Sequence, residues 1–335
     1  MPGRFCPAFR RPATKPPRAE RAVGDVAVQR GPPMLLHRRA VLAALAVAPF
    51  AARPILAQTP ESAPLPEPPL LGSDYRAARA AFRTNLLRRG PAPDQGDPLT
   101  APEGAEALRY RSGGRDLVAW ASPAGDAAAL KPAVLVLHGG NAIWHGHWRD
   151  LAAPYVAAGF HALMPTLRGE NGQPGDFSAF YDETDDVLAA AEALRARPGV
   201  DPERVFVSGH SVGGTLTLLA ALSGDFRGAA ALSPSPDTRV FFQRFADEAP
   251  FDLSDPRELE MRSAVCFASG FRCPVLMSHG DGETRSSRSI DLTVARARAA
   301  GLRAEHRVVA GDHMGSIPAG LREALDFFAS EAALR

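Results

Sequence analysis

A chain of 335 residues with 45% hydrophobic and 22% charged residues has the composition of a globular protein that buries a sizeable core, which excludes disorder of the whole chain. The formal charge of +1 conceals an asymmetry: up to Ala57, ten Lys and Arg face only Glu20 and Asp25, a net of +8, and the remaining 28 basic and 35 acidic residues carry −7. An acidic body argues against nucleic acid or an anionic membrane surface as a partner.

Residues 1–33 are rich in Pro and Arg and show no periodicity, so they read as an untranslated or disordered extension, with Met34 as the preferred start. Residues 34–57 read as a signal peptide: a charged start at His37-Arg38-Arg39, an uncharged run from Ala40 to Phe50, and small Ala57 before Gln58. The run is too short to span a bilayer. Arg38-Arg39 before Val41-Leu42 is similar to a twin-arginine export signal, although His37 and Ala43 replace the usual hydroxyl residue and lysine. Ordinary secretion and an amphipathic N-terminal arm are the alternatives. The expectation is a protein exported to the periplasm or medium, with no stable membrane anchor after cleavage.

Residues 58–106 read as a linker, Pro-rich over 62–69, and a helix over 74–89 with Tyr75, Ala78, Phe82 and Leu86 on one face. Residues 107–335 form the remainder, a single domain. Alternation over 107–118 about Ser112-Gly113-Gly114 predicts two short strands. Strands are then expected at 133–137, 160–165, 204–208, 229–232, 274–279 and 303–309, with helices at 151–158, 184–197, 213–222 and 321–333. Continuous apolar strands alternating with helices predict an α/β fold, a mainly parallel sheet covered on both faces. A small cap is expected over 240–271, with Phe241, Phe242, Phe245, Phe251 and Phe267 as its apolar wall or its own packing.

Gly209-His210-Ser211-Val212-Gly213 lies between a predicted strand and a predicted helix. A strained turn there lifts a serine hydroxyl clear of the sheet, and flanking glycines are needed where side chains would strike neighbouring backbone. Ser211 is therefore the candidate nucleophile. A serine hydroxyl needs an imidazole within reach to take its proton, and His279, His306 and His313 are the later candidates. Asp281 and Glu283 both follow the 274–279 strand, and either satisfies the chain order serine, acid, histidine.

These motifs, with His138-Gly139-Gly140 after the first buried strand and Gly311-Asp312-His313 near the end, resemble the α/β-hydrolase superfamily. The similarity is greatest to the prolyl oligopeptidase family and its dienelactone hydrolase-like relatives. The resemblance runs from about Ala107 onward, without room in 58–106 for the propeller of the longer peptidases. It implies His313 as base, and Glu283 as acid because the family places its acid three positions after the glycine of a His-Gly pair, here Gly280. It also implies an oxyanion hole from the Val212 N–H and that of Gly140 or Asn141. Trp144, His145, His147 and Trp148 follow this loop as pocket-lining or core residues, and the two histidines lack the further ligands a metal would need. Cys266 and Cys273 read as a disulfide or as buried thiols. No cofactor or metal is expected. The function implied is an esterase acting on a small-molecule ester, with a peptidase of prolyl oligopeptidase type as the alternative and a non-catalytic binding protein as the second. Oligomeric state is not legible.

Overall fold

The structure is a computed structural model that describes residues 65–333; the extension 1–33, the signal segment 34–57 and the start of the linker lie outside them. Within the described residues eight strands form one sheet: β1 (Glu106–Ser112), β2 (Arg115–Ala121), β3 (Lys131–Leu137), β4 (His161–Pro165), β5 (Val200–His210), β6 (Ala229–Leu232), β7 (Val275–Gly280) and β8 (Ala304–Val309). Their spatial order is β1-β2-β4-β3-β5-β6-β7-β8. The β1–β2 and β2–β4 pairs are antiparallel and all others parallel. The first hairpin closes on Gly113 and Gly114, both at positive φ (53° and 81°), the backbone that a two-residue turn between twisted strands requires.

The helices are α1 (Tyr75–Ala81), α2 (His145–His147), α3 (Ala153–Ala157), α4 (Glu183–Arg195), α5 (Val212–Ser223), α6 (Thr238–Phe242), α7 (Pro256–Glu260), α8 (Ser287–Ala299) and α9 (Ile317–Ala333). A π-turn, Trp148–Ala152, joins α2 to α3. Side chains alternate across the parallel strands. Leu135, Val207 and Met277 face one layer with Val187 of α4, Leu219 of α5 and Ile290 of α8. Val134, Phe206 and Leu276 face the other, with Tyr155 of α3 and Phe328 of α9. Strands buried on both faces explain why the sequence shows unbroken apolar runs rather than alternation.

Several expectations are corrected. The 74–89 helix stops at Ala81, and Phe82 is extended. Glu258 accepts hydrogen bonds from the Thr84 hydroxyl at 2.7 Å and the Asn85 N–H at 2.6 Å, and Leu86 pairs with Phe251 in an antiparallel bridge. Tertiary partners override a local helical pattern here. Helical structure begins at His145 rather than 151, and α8 was not anticipated, because arginines interrupt its apolar stripe. Cys266 and Cys273 are free, and burial pushes both thiols up to about 12.

Phe328 is fully buried and its ring lies 4.5 Å from that of Phe206. Phe328→Ala is expected to cost about 3–5 kcal/mol of stability, read as a lower urea midpoint at unchanged m-value. A midpoint equal to wild type would show that the α9 layer repacks.

Candidate active site

The α5 start and the β5 end meet at a sharp turn. Ser211 has φ 59° and ψ −115°, outside the regions open to most side chains, and its N–H donates to Leu232 O at 2.9 Å. Glycine is forced on either side. A Cβ on Gly209 would lie 2.5 Å from Gly213 O, and one on Gly213 would meet His138 O at 2.5 Å and strike Leu137 O as well.

His313 sits in the loop after β8, where the Asp312 carboxylate accepts the Met314 and Gly315 N–H groups at 3.2 and 2.7 Å. Its Nε2 lies 2.9 Å from Ser211 Oγ and its Nδ1 2.5 Å from Glu283 Oε2. Glu283 Oε1 accepts from Ser233 Oγ at 2.6 Å and from the Gly280 N–H at 3.0 Å. Burial alone would raise this carboxyl, but the bonds from His313, Ser233 and Gly280 outweigh it and hold the group at about 2. Asp281 points elsewhere: its Oδ1 accepts the Gly311 N–H at 3.0 Å, and its own N–H donates to Val309 O at 2.7 Å. It ties the β7 loop to the His313 loop and is not part of the chain Ser211–His313–Glu283.

The rival histidines are occupied in other ways. His279 Nδ1 bonds Gly280 O at 2.7 Å, and His306 Nδ1 lies 2.8 Å from Asp291. His210, inside the Gly-x-Ser-x-Gly motif, has Nε2 2.8 Å from His313 O. A carbonyl only accepts, so Nε2 carries the proton. Burial, with help from neighbouring His313, lowers His210 to about 4 and keeps the ring neutral.

Of the oxyanion candidates, Val212 is the first residue of α5, where an N–H has no intrahelical partner. The Gly140 N–H donates to no acceptor among the described residues. The Asn141 N–H is taken, donating to Asp94 Oδ2 at 2.7 Å, while the Asn141 side chain donates to Glu248 at 2.9 Å. A cleft of about 640 Å³ exposes Ser211, His313, Val212 and Gly140, with Phe241 and Phe245 on one wall. Phe242, Phe251 and Phe267 are core residues. Trp144, His145, His147 and Trp148 do not line it; Trp148 is buried in the α9 layer, and His147 stacks on His138 at 5.5 Å. Ser233, His210 and Asp94 were missed by sequence reasoning, because each meets its partner only through the fold.

A parallel sheet with a strained serine turn after β5, an acid loop after β7 and a histidine loop after β8 decides the architecture. The chain has the α/β-hydrolase fold and resembles the prolyl oligopeptidase family. Residues 149–297 match the sequence profile of that family. An uncharacterized peptidase of Bacillus subtilis (strain 168), YuxL, is 28% identical over 174 residues, covering 46% of this chain and 26% of the relative. Among solved structures, the dipeptidyl peptidase 4 of Porphyromonas gingivalis superposes with a TM-score of 0.58 at 20% identity, over 68% of this chain and 35% of that one. The esterase Est2 of Thermogutta terrifontis superposes with a TM-score of 0.55 at 20% identity, over 69% of this chain and 94% of the esterase. The chain thus spans about a quarter of the curated relative's length and about a third of the dipeptidyl peptidase's. Together the structural likenesses show the α/β-hydrolase fold.

The close approach at Gly213 carries its own test. Gly213→Ala places a methyl group against two backbone carbonyls that cannot swing aside, so it is expected to destabilise the fold by about 1–3 kcal/mol. A thermal melt indistinguishable from wild type would contradict this geometry.

Proposed function

We propose that the protein is a serine hydrolase in which Ser211 attacks an ester carbonyl, His313 takes the hydroxyl proton and returns it to the leaving group, and Glu283 orients and stabilises the imidazolium. Water then releases the acyl-enzyme by the same route in reverse. The observation that carries this reading is the continuous chain from Ser211 Oγ through the His313 ring to Glu283, at 2.9 and 2.5 Å. Negative charge developing on the carbonyl oxygen meets the Val212 and Gly140 N–H groups. No step requires a cofactor.

An ester of a small or medium acyl group is the preferred substrate, since Phe241 and Phe245 give the cleft an apolar wall beside the nucleophile. The prolyl oligopeptidase match over 149–297 favours an aminoacyl or peptidyl amide as the second reading. Export is proposed on the paired Arg38-Arg39 and the uncharged run after it. N-terminal sequencing of the native protein should find a start near Gln58, and intact Met1 in the cytoplasm would refute export.

A fluorophosphonate probe is expected to label the wild type and not Ser211→Ala, which should lose about 10⁶-fold in kcat while staying folded. Glu283→Gln should lower kcat by about 10⁴-fold, whereas Asp281→Asn, whose amide oxygen can still accept the Gly311 N–H, should retain most turnover. A collapse confined to Asp281→Asn would reverse the assignment of the acid, and a labelled Ser211→Ala would refute the nucleophile.

A further inference from the structure

Residues 92–100 precede the first strand, yet they run along the 138–145 loop rather than across open surface. Asp94 Oδ2 accepts the Asn141 N–H at 2.7 Å, and Asp97 Oδ2 accepts the His145 N–H at 2.8 Å. The Asp97 N–H donates to Ile143 O at 3.1 Å, and His145 Nε2 bonds Thr100 O at 3.0 Å. Asn171, on the loop after β4, locks the two strips together: its amide donates to Asp97 O and Ile143 O, both at 2.9 Å, and its oxygen accepts the Ile143 N–H. The strips lie so close that a Cβ on Gly96 would collide with Ile143 O and the Asn171 amide.

The loop held this way is the one that passes the nucleophile. A Cβ on Gly139 would lie 3.6 Å from Ser211 Cβ. At Gly140 the backbone turns through φ 69°, and a Cβ there would meet Asp94 Oδ2 at 3.1 Å. Two consecutive N–H groups therefore have different fates: Asn141 spends its own on Asp94, while that of Gly140, a residue that lines the cleft, has no acceptor among the described residues.

We propose that Asp94 is a positioning residue of the oxyanion hole, and that residues 92–100 form a strap whose Asp94 and Asp97 carboxylates fix the loop so that Gly140, not Asn141, supplies the second oxyanion donor. This rests on the serine hydrolase reading given above. Asp94 touches no reacting atom; it acts through the peptide between Gly140 and Asn141. A donor aimed only after substrate arrives must be reorganised in the transition state, and one fixed beforehand need not be. Displacing such a donor by about 1 Å costs on the order of 10² in rate. The acceptor oxygen performs the task, so an amide can replace the carboxylate.

The test uses the full chain with Asp94→Ala, Asp97→Ala and Asp94→Asn. Asp94→Ala is expected to lose about 10²-fold in kcat on a p-nitrophenyl ester, the scale of one oxyanion donor, with KM and melting temperature little changed. Asp94→Asn should stay close to wild type, and Asp97→Ala should fall between them. Hydrogen exchange of residues 139–145 reads the tether whether or not the protein turns over an ester, and should accelerate in both alanine variants. Unchanged exchange in Asp94→Ala overturns the proposal even if the hydrolase reading fails. Wild-type or faster kcat in Asp94→Ala overturns it too, since a carboxylate that merely obstructed the donor would speed the reaction when removed. Loss of fluorophosphonate labelling in the wild type, with exchange responding as expected, would instead count against the hydrolase reading alone and leave the tether established.

Discussion

The beginning of α5 lies so near the end of β3 that the carbonyl oxygens of Leu137 and His138 fill the space a side chain on Gly213 would need. Much of the site follows from that contact. It brings the helix N-terminus against the strand end beside the Ser211 turn, where the backbone has φ 59° and Val212, the first residue of α5, lines the cleft. Strain of this kind costs on the order of 1–3 kcal/mol and persists only where the surroundings over-determine it. Here they do, through the Ser211 N–H bond to Leu232 O at 2.9 Å and the β3–β5 pairing that runs up to Leu137 and Gly209.

Polar groups buried away from the sheet attach the outer segments to this centre. Arg262 is fully buried, pairs with Glu258 at 2.5 Å, and donates to Ala179 O and Thr84 Oγ at 2.7 and 2.8 Å. Its guanidinium also lies 3.8 Å over the Phe251 ring. One side chain thus joins α7, the loop before α4 and residues after α1. Truncating such a residue leaves an unpaired buried carboxylate, which is more costly than never having had the pair. Arg168 and Asp186 form a second buried pair at 2.7 Å, with Ser112 of β1 on the same carboxylate at 2.5 Å. These contacts hold regions of the chain that local propensity leaves undecided.

That division explains what the sequence makes legible. The parallel strands were readable because burial on both faces demands unbroken apolar runs, and Ser211 because its strained turn demands glycines at fixed offsets. Own-sequence reasoning left Asp281 and Glu283 level. Their roles separate only when the loop after β7 is folded, since the two carboxylates leave it in different directions, one to Gly311 N and the other to His313. The helix expected over 74–89 fails at Phe82 because Glu258, 174 residues after Thr84, offers better partners to Thr84 and Asn85. Residues 92–100 looked like a spacer because their carboxylates bond to backbone amides, which carry no residue signature. A contact between a side chain and a distant main-chain group leaves no pattern along the chain.

Charge in the cleft is arranged by which neighbour each imidazole meets. His210 donates to the carbonyl of His313 and lies 4.7 Å from its ring. A positive His210 there would oppose the imidazolium that the proposed mechanism forms on His313, and burial prevents it by lowering His210 to about 4. His147 is likewise lowered to about 3, by burial and by His138 and His210. His138 goes the other way: burial disfavours its charge, but Glu170 at 3.1 Å more than compensates and raises it. The same Glu170 carboxylate also accepts the Leu167 N–H at 2.8 Å. Glu283, held ionised by three donors, then faces His313 across 2.5 Å. The electrostatic consequence is specific: negative charge is fixed on the Nδ1 side of His313, and the competing rings around it are neutral or paired. In the proposed mechanism the proton leaving Ser211 Oγ passes to His313 Nε2, 2.9 Å away.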